Sequence, residues 1–364
     1  MRASTSRTRF VVSAIVVLVT APALSGQQPP LLPPGASFQV LETYLESMRQ
    51  QVGIPGMSAA VVFDESIIWE KGFGYQNLAS RIPATPDTPY VIDNLTETVA
   101  AVLLLQCVEQ RRIGLDEPFQ RYGLSAPESD ATLRRLLSHE APDGAKEPFA
   151  FNPDRFAQLT PLMEWCAPQP YRKSVAHRIL SRLAMKDSVP GTDLHDPDLP
   201  LPEGLFDPGE LERYRRVLDR LAVPYKVTGR GRADRTDLSA TPINAAAGLV
   251  STVRDLARLD EAIDAGVLLS DDTLEIAWNP ATARDGTPLP MGLGWFVQSY
   301  RGERVVWHFG YVPNAYSSLV LKMPGRHLTF ILLANSDGLS GPFQLAQGDV
   351  TRSLFATLFL RLFR

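Results

Sequence analysis

Leu41, Tyr44, Leu45, Met48 and Val52 recur at intervals of three and four, which predicts an amphipathic helix stopped by Gly53 and Pro55. Two β-rich runs follow, Met57 to Phe63 and Ile67 to Tyr75, and Asp64-Glu65-Ser66 between them predicts a hairpin. The far end of the chain carries matching material: Arg304 to Trp307, Tyr316 to Met323 and Leu328 to Ala334, punctuated by Pro313-Asn314 and Pro324-Gly325. Strands from both ends are therefore expected to form one antiparallel sheet, with terminal helices against a face. The apolar run Val350 to Phe363 is short and contains Arg352 and Arg361, so it is expected to pack on that sheet.

Residues 95 to 239 differ, with helical periodicities and Pro-rich loops but few strand signals. The stretch from Asn94 to Val108 is apolar around most of a helix circumference, which predicts a central, buried helix. Asp187 to Pro208 is rich in Asp and Pro and reads as an exposed loop excursion. The expected fold class is α/β (α+β): an antiparallel β-sheet flanked by helices, drawn from residues 38–94 and 240–364, plus a mainly helical inserted region at 95–239. No internal repeats interrupt this layout.

Composition narrows the setting. At 364 residues, 45% hydrophobic and 21% charged, the chain is ordinary for a globular protein. Residues 1–25 combine Arg2, Arg7 and Arg9 with an apolar run from Phe10 to Leu24, which reads as a cleaved export signal ahead of a Pro-rich lead at 26–37. The expected destination is the periplasm or the outside of the cell, with no stable membrane span after cleavage. Loss of three arginines takes the formal charge from -4 to -7, which disfavours nucleic-acid and anionic-membrane partners. Export permits a disulfide between the two cysteines, Cys107 and Cys166, but both lie in apolar helix-like text and are read as buried free thiols.

Several phrases carry a family resemblance when taken in order. Thr88-Pro89-Tyr90-Val91-Ile92-Asp93 leads into Asn94-Leu95-Thr96-Glu97, followed by Gly114-Leu115-Asp116-Glu117-Pro118 and Leu136-Leu137-Ser138-His139. Gly248-Leu249-Val250-Ser251-Thr252, Gly292-Leu293-Gly294-Trp295, Trp307-His308-Phe309-Gly310 and Leu333-Ala334-Asn335-Ser336 complete the series. Together they resemble the penicillin-recognising serine hydrolases, in particular class C β-lactamases and related esterases and D-peptidases. The resemblance covers most of the chain after the leader and implies a serine β-lactamase/transpeptidase-like fold.

Chemistry in that family needs a serine at a helix start, a lysine one turn later to take its proton, and a tyrosine across the cleft. Asn94 stands at the serine position, Glu97 at the lysine position, and Phe151, in Phe151-Asn152-Pro153, at the tyrosine position. Only the third motif survives, as His308-Phe309-Gly310, where the resemblance implies that the N–H of Tyr311 pairs with that of Asn94 as an oxyanion hole. Loss of a nucleophile from such a coupled set costs about 10⁶-fold in kcat, so three replacements point to a catalytically degenerate member. The binding cleft is expected where residues 94, 151 and 308 meet, lined by Asn94, Glu97, Phe151, Pro153, His308, Gly310 and Tyr311. Its expected ligand is a small molecule or peptide, including cell-wall-derived ones, or a protein.

Two readings of Glu97 compete. Asn-x-x-Glu is a capping-box pattern that satisfies free N–H groups at a helix start, and this is the preferred reading. Alternatively Glu97 faces His308 and the two activate a water for hydrolysis of an ester, amide or β-lactam. Thr96 should point away from the cleft, and Ser138-His139 is read as scaffold rather than as a nucleophile–base pair. The sequon Asn94-Leu95-Thr96 is read as coincidence. His139, His177, His195, His308 and His327 show no metal-ligand spacing, and the cluster Asp193, His195, Asp196, Asp198 reads as a solvated acidic loop, so neither metal nor cofactor is expected.

Overall fold

The computed structural model describes residues 34–125, 128, 131–228 and 231–363, with side chains from 38 onward. The expected export signal and most of the Pro-rich lead lie outside the described residues. No helix among the described residues is long and apolar enough to cross a membrane.

Seven strands make the main sheet: β1 (Gly56–Phe63), β2 (Ser66–Asn77), β3 (Ile82–Pro83), β4 (Phe296–Tyr300), β5 (Glu303–Val312), β6 (Tyr316–Met323) and β7 (Leu328–Ala334). Their order is β3-β2-β1-β7-β6-β5-β4, and every pairing is antiparallel. The two chain ends meet in the middle, with Met57 opposite Ala334 and Phe63 opposite Leu328. The predicted hairpin turns at Asp64 and Glu65, whose φ of 49° and 60° give the left-handed pair that matches strand twist.

Both faces of the central strands are covered, which explains why they read as continuous apolar runs rather than alternating ones. Met57, Ala59 and Val61 of β1 face one core with Phe330 and Leu332 of β7, while Ala60, Val62, Ile331 and Leu333 face the other. The first core is closed by α1 (Pro34–Val52) through Leu41 and Leu45 and by the C-terminal helix through Phe355 and Phe359. Tyr44, although at helical spacing with these residues, is 56% exposed.

The second core holds α2 (Thr96–Glu109), buried from Thr96 through Cys107 as its composition predicts. Beside it packs the helix Val253–Asp264, started by Thr252, whose Oγ1 accepts the Asp255 N–H at 3.1 Å. The cysteines depart from expectation. Cys107 at the end of α2 is bonded to Cys166 at the end of the helix Thr160–Cys166, their Cα atoms 6.3 Å apart. Both are buried, but packing of the two helices brings them within bridging distance, so they are not free thiols.

The inserted region is also less loose than its composition implies. Val189–Pro190 pairs with Leu249–Ser251, which in turn pairs with Tyr90–Val91 just ahead of α2. Leu194 is fully enclosed, so the excursion at 187–208 is anchored at its start and exposed mainly beyond it.

Candidate functional site

The site begins at the turn that feeds α2. Ile92 is tied by its N–H to the Leu249 carbonyl at 3.0 Å, and its own carbonyl accepts the Ser318 hydroxyl at 2.9 Å. Gly310 of β5 lies beneath that carbonyl so closely that a Cβ there would sit 2.0 Å from the oxygen. Glycine is what allows the strand and turn to meet. Asp93 then takes φ 47°, and a short 3-10 turn, Asp93–Leu95, runs into α2.

The expected capping box is not formed. The N-cap of α2 is Leu95, which offers no side-chain cap, and neither Asn94 nor Glu97 caps the helix. A box of that kind occurs instead at Asp207 and Glu210, on the helix Pro208–Leu218. Glu97 turns inward to tertiary partners, because two imidazoles buried opposite it outbid a local contact available to any exposed helix end.

Glu97 is fully enclosed, and its Oε2 lies 2.9 Å from His139 Nε2 and 3.2 Å from His308 Nε2. Oε1 has no hydrogen-bond partner. His139 follows the short helix Leu133–Leu137, and its Nδ1 accepts the Asn152 N–H at 2.9 Å, which places its proton on Nε2, facing Glu97. His308 Nδ1 stands 2.9 Å from the Phe309 N–H and 3.0 Å from the Phe309 carbonyl, so either tautomer finds a backbone partner.

Burial pushes the Glu97 carboxyl up to about 7, against the hydrogen bond and charge of His308, which lower it. Burial and, after it, the positive charge of Arg155 push His139 down to about 3, so it is neutral near pH 7. Glu97 Oε2 thus meets two imidazoles, with His139 a fixed donor to it. Such a trio can store and pass a proton, but a base acts on substrate only when substrate can reach it.

Access is where the expected cleft fails. Asn94 is 8% exposed, and Glu97, His139 and His308 are at most 1% exposed. Phe151, at the expected tyrosine position, packs its ring 4.6 Å from His139, 5.2 Å from Phe309 and 5.5 Å from Phe296, centroid to centroid. The Phe151 ring centroid also lies 6.0 Å from that of His308. His308 lines a small cavity of about 40 Å³ with Leu95, Trp307 and Lys322, whereas Phe151 borders a separate trough of about 740 Å³ with Phe149, Pro290 and Gln298. Pro153 starts the short helix Pro153–Ala157, capped by Asn152, whose Oδ1 accepts the Arg155 N–H at 3.1 Å.

The opening lies on the other side of the turn. A cleft of about 490 Å³ is lined by Asp93, Val312, Tyr316, Arg235, Thr241 and Asn244, among others. Gly310 is packed under the turn, while Tyr311 is 36% exposed, its hydroxyl pushed up by burial and the nearby Asp337 charge. Burial also pushes Asp93 up to about 6, against the opposing pull of the nearby Tyr311 and Asn94 backbone.

Two residues of this neighbourhood were not marked by the sequence. His139 belongs to a phrase read as scaffold; a polar residue closing the apolar run Leu136-Leu137 was the available signal. Asp93 immediately precedes the serine position, and no local pattern marks it. Ser138 makes no pair with His139, its hydroxyl donating to the Arg135 carbonyl at 3.4 Å. Thr96 is packed, its Oγ1 accepting the Leu249 N–H at 3.3 Å. In the acidic loop Asp193 binds Arg172 at 2.6 Å and His195 binds Asp219 at 3.0 Å, and no group of three or more metal-ligating side chains is found among the described residues.

A sheet closed by both chain ends, with a buried helix starting beneath a glycine-bearing strand, defines the serine β-lactamase and penicillin-binding class of fold. The chain belongs to the Beta-lactamase family, whose model matches residues 41–349. It is similar to the human Serine beta-lactamase-like protein LACTB, mitochondrial, with 30% identity over 102 residues, 26% of this chain and 19% of that protein. It is also similar to Protein flp of Staphylococcus aureus, with 26% identity over 108 residues, 28% of this chain and 22% of that protein. The matched stretch spans only about a fifth of the length of these relatives. Among solved structures, the octameric penicillin-binding protein homologue from Pyrococcus abyssi superposes with a TM-score of 0.68 at 20% identity, covering 89% of this chain and 77% of that one. SurE superposes with a TM-score of 0.65 at 21% identity, covering 84% and 73%.

Proposed function

We propose that this chain is an exported, non-catalytic member of the Beta-lactamase family that binds a small molecule, a peptide or a protein through the cleft beside the former nucleophile position. The carrying observation is Glu97: where family chemistry needs a lysine to accept the nucleophile's proton, a carboxyl sits fully enclosed and bound to two imidazoles. Asn94 offers no nucleophile and Phe151 no hydroxyl. The cleft of about 490 Å³, within the usual size range for small-molecule sites, combines apolar Leu218, Leu221 and Val312 with Arg235, Thr236 and Asn244. Export is supported by the Cys107–Cys166 disulfide, a bond suited to an oxidising compartment, together with the leader-like first 25 residues.

A second reading, hydrolysis by Glu97 and His308, draws on their 3.2 Å contact and on a carboxyl poised at about 7. Turnover of p-nitrophenyl acetate and of a chromogenic cephalosporin separates the two. The expected result is no rate above buffer for the parent or for Glu97→Gln. An enzyme-dependent rate that disappears in Glu97→Gln would install the hydrolase in place of the binder.

A further inference from the structure

At the opposite end of α2 from the site just described, a groove of about 480 Å³ is lined by Arg111, Arg112, Arg121, Glu117, Tyr122 and Trp165, among others. One wall is the chain leaving α2, Val108 to Arg112, and the other is Trp165, near the end of the helix Thr160–Cys166. The Cys107–Cys166 disulfide joins the neighbours of Val108 and Trp165, so it staples the two walls together. Arg112 crosses the same seam, its Nη1 donating to the Cys166 carbonyl at 2.5 Å. Tyr122 packs its ring 4.8 Å from that of Trp165, centroid to centroid; its hydroxyl accepts the Gly114 N–H at 2.8 Å and donates to Glu117 at 2.6 Å. The groove is thus held in shape from several sides by covalent, polar and aromatic contacts.

Its charge is unbalanced. Glu117 is engaged by Arg121 at 2.6 Å, while Arg112 meets a carbonyl in place of a carboxylate, and Arg111 has no side-chain hydrogen bond or ion pair among the described residues. Burial and, after it, the charges of Arg112 and Arg182 hold the Arg178 guanidinium below its ordinary range, so further cations adjoin. This local excess stands against a formal charge of -4 for the whole chain. The C-terminal end of α2 carries the equivalent of about half a negative charge, too little to offset it. Beside these cations Trp165 is 46% exposed. Guanidinium forks match phosphate oxygens in two-point contact, and an open indole surface takes a flat ring. We propose that this groove binds a small phosphate ester of a flat organic ring, its phosphate on Arg111 and Arg112 and its ring on Trp165. The groove shares no lining residue with the cleft of about 490 Å³, so the inference stands apart from the reading of that cleft.

Phenyl phosphate titration of the whole protein, followed through the Trp165 indole N–H resonance in NMR, tests this; Trp165→Phe identifies the resonance by its disappearance. The parent is expected to shift saturably, with phenyl phosphate binding about tenfold or more tighter than inorganic phosphate or phenol, because the two halves bind as one molecule. Arg111→Glu is expected to weaken phenyl phosphate by about tenfold or more, since it reverses the charge of an exposed guanidinium meant for the phosphate. Arg301→Glu, the same charge change on an exposed turn elsewhere, is expected to bind as the parent does. No saturable shift in the parent, equal binding of inorganic phosphate alone, or undiminished binding by Arg111→Glu would each overturn the proposal. So would sedimentation with phosphatidic acid vesicles in the absence of any response to phenyl phosphate, which would make the patch a lipid-surface contact.

Discussion

Glu97→Gln is expected to gain stability relative to the parent as pH rises from 5 to 8, by about 3 kcal/mol across the window. The Glu97 carboxyl moves from its ordinary 4.5 to about 7 in the folded protein, chiefly through burial. A raised carboxyl pKa means the folded chain holds a proton that the unfolded chain has released. Its contribution is therefore fully present below 4.5 and is lost as pH rises through about 7. Glutamine cannot ionise, so the variant lacks that loss. His139 works in the opposite direction: pushed down to about 3, it contributes stability above the ordinary histidine value of 6.5 that is lost as pH falls toward 3. Urea unfolding of both proteins at pH 5 and pH 8 reads the difference between the two pH profiles. Parallel pH profiles would mean that the carboxyl is not held in its neutral form by burial.

Removing the disulfide is expected to have an effect of similar or larger size. With a sequence separation of 59 between Cys107 and Cys166, loop-closure entropy in the unfolded chain gives about 4 kcal/mol. Cys107→Ala combined with Cys166→Ala should lower the urea midpoint accordingly, and a reducing agent should lower that of the parent but not of the double variant. An unchanged midpoint would show that the crosslink adds nothing to the stability that packing of α2 against the Thr160–Cys166 helix provides.

Much of the fold was legible because its signals are local. The Asp64-Glu65 turn, the uniformly apolar α2 and the punctuated strands near the C-terminus each declare themselves within a dozen residues. The site was legible only as a set of positions. Asn94 and Glu97 fit a local capping rule, but Glu97 is claimed by His139, 42 residues away, and by His308, 211 residues away, and no local pattern encodes such contacts. The cleft was misplaced for a similar reason: Phe151 joins an aromatic cluster with Phe296 and Phe309, apart from the cleft bordered by Asp93. Cysteine pairing depended on how two helices pack, which spacing alone does not give.

The central claim is that the family scaffold persists here without acyl-enzyme chemistry. Intact mass after exposure of the whole protein to a fluorescent penicillin and to a fluorophosphonate tests it most directly. The account predicts an unmodified mass with both reagents; a stoichiometric adduct on Asn94, Thr96 or any other residue around the turn would contradict it.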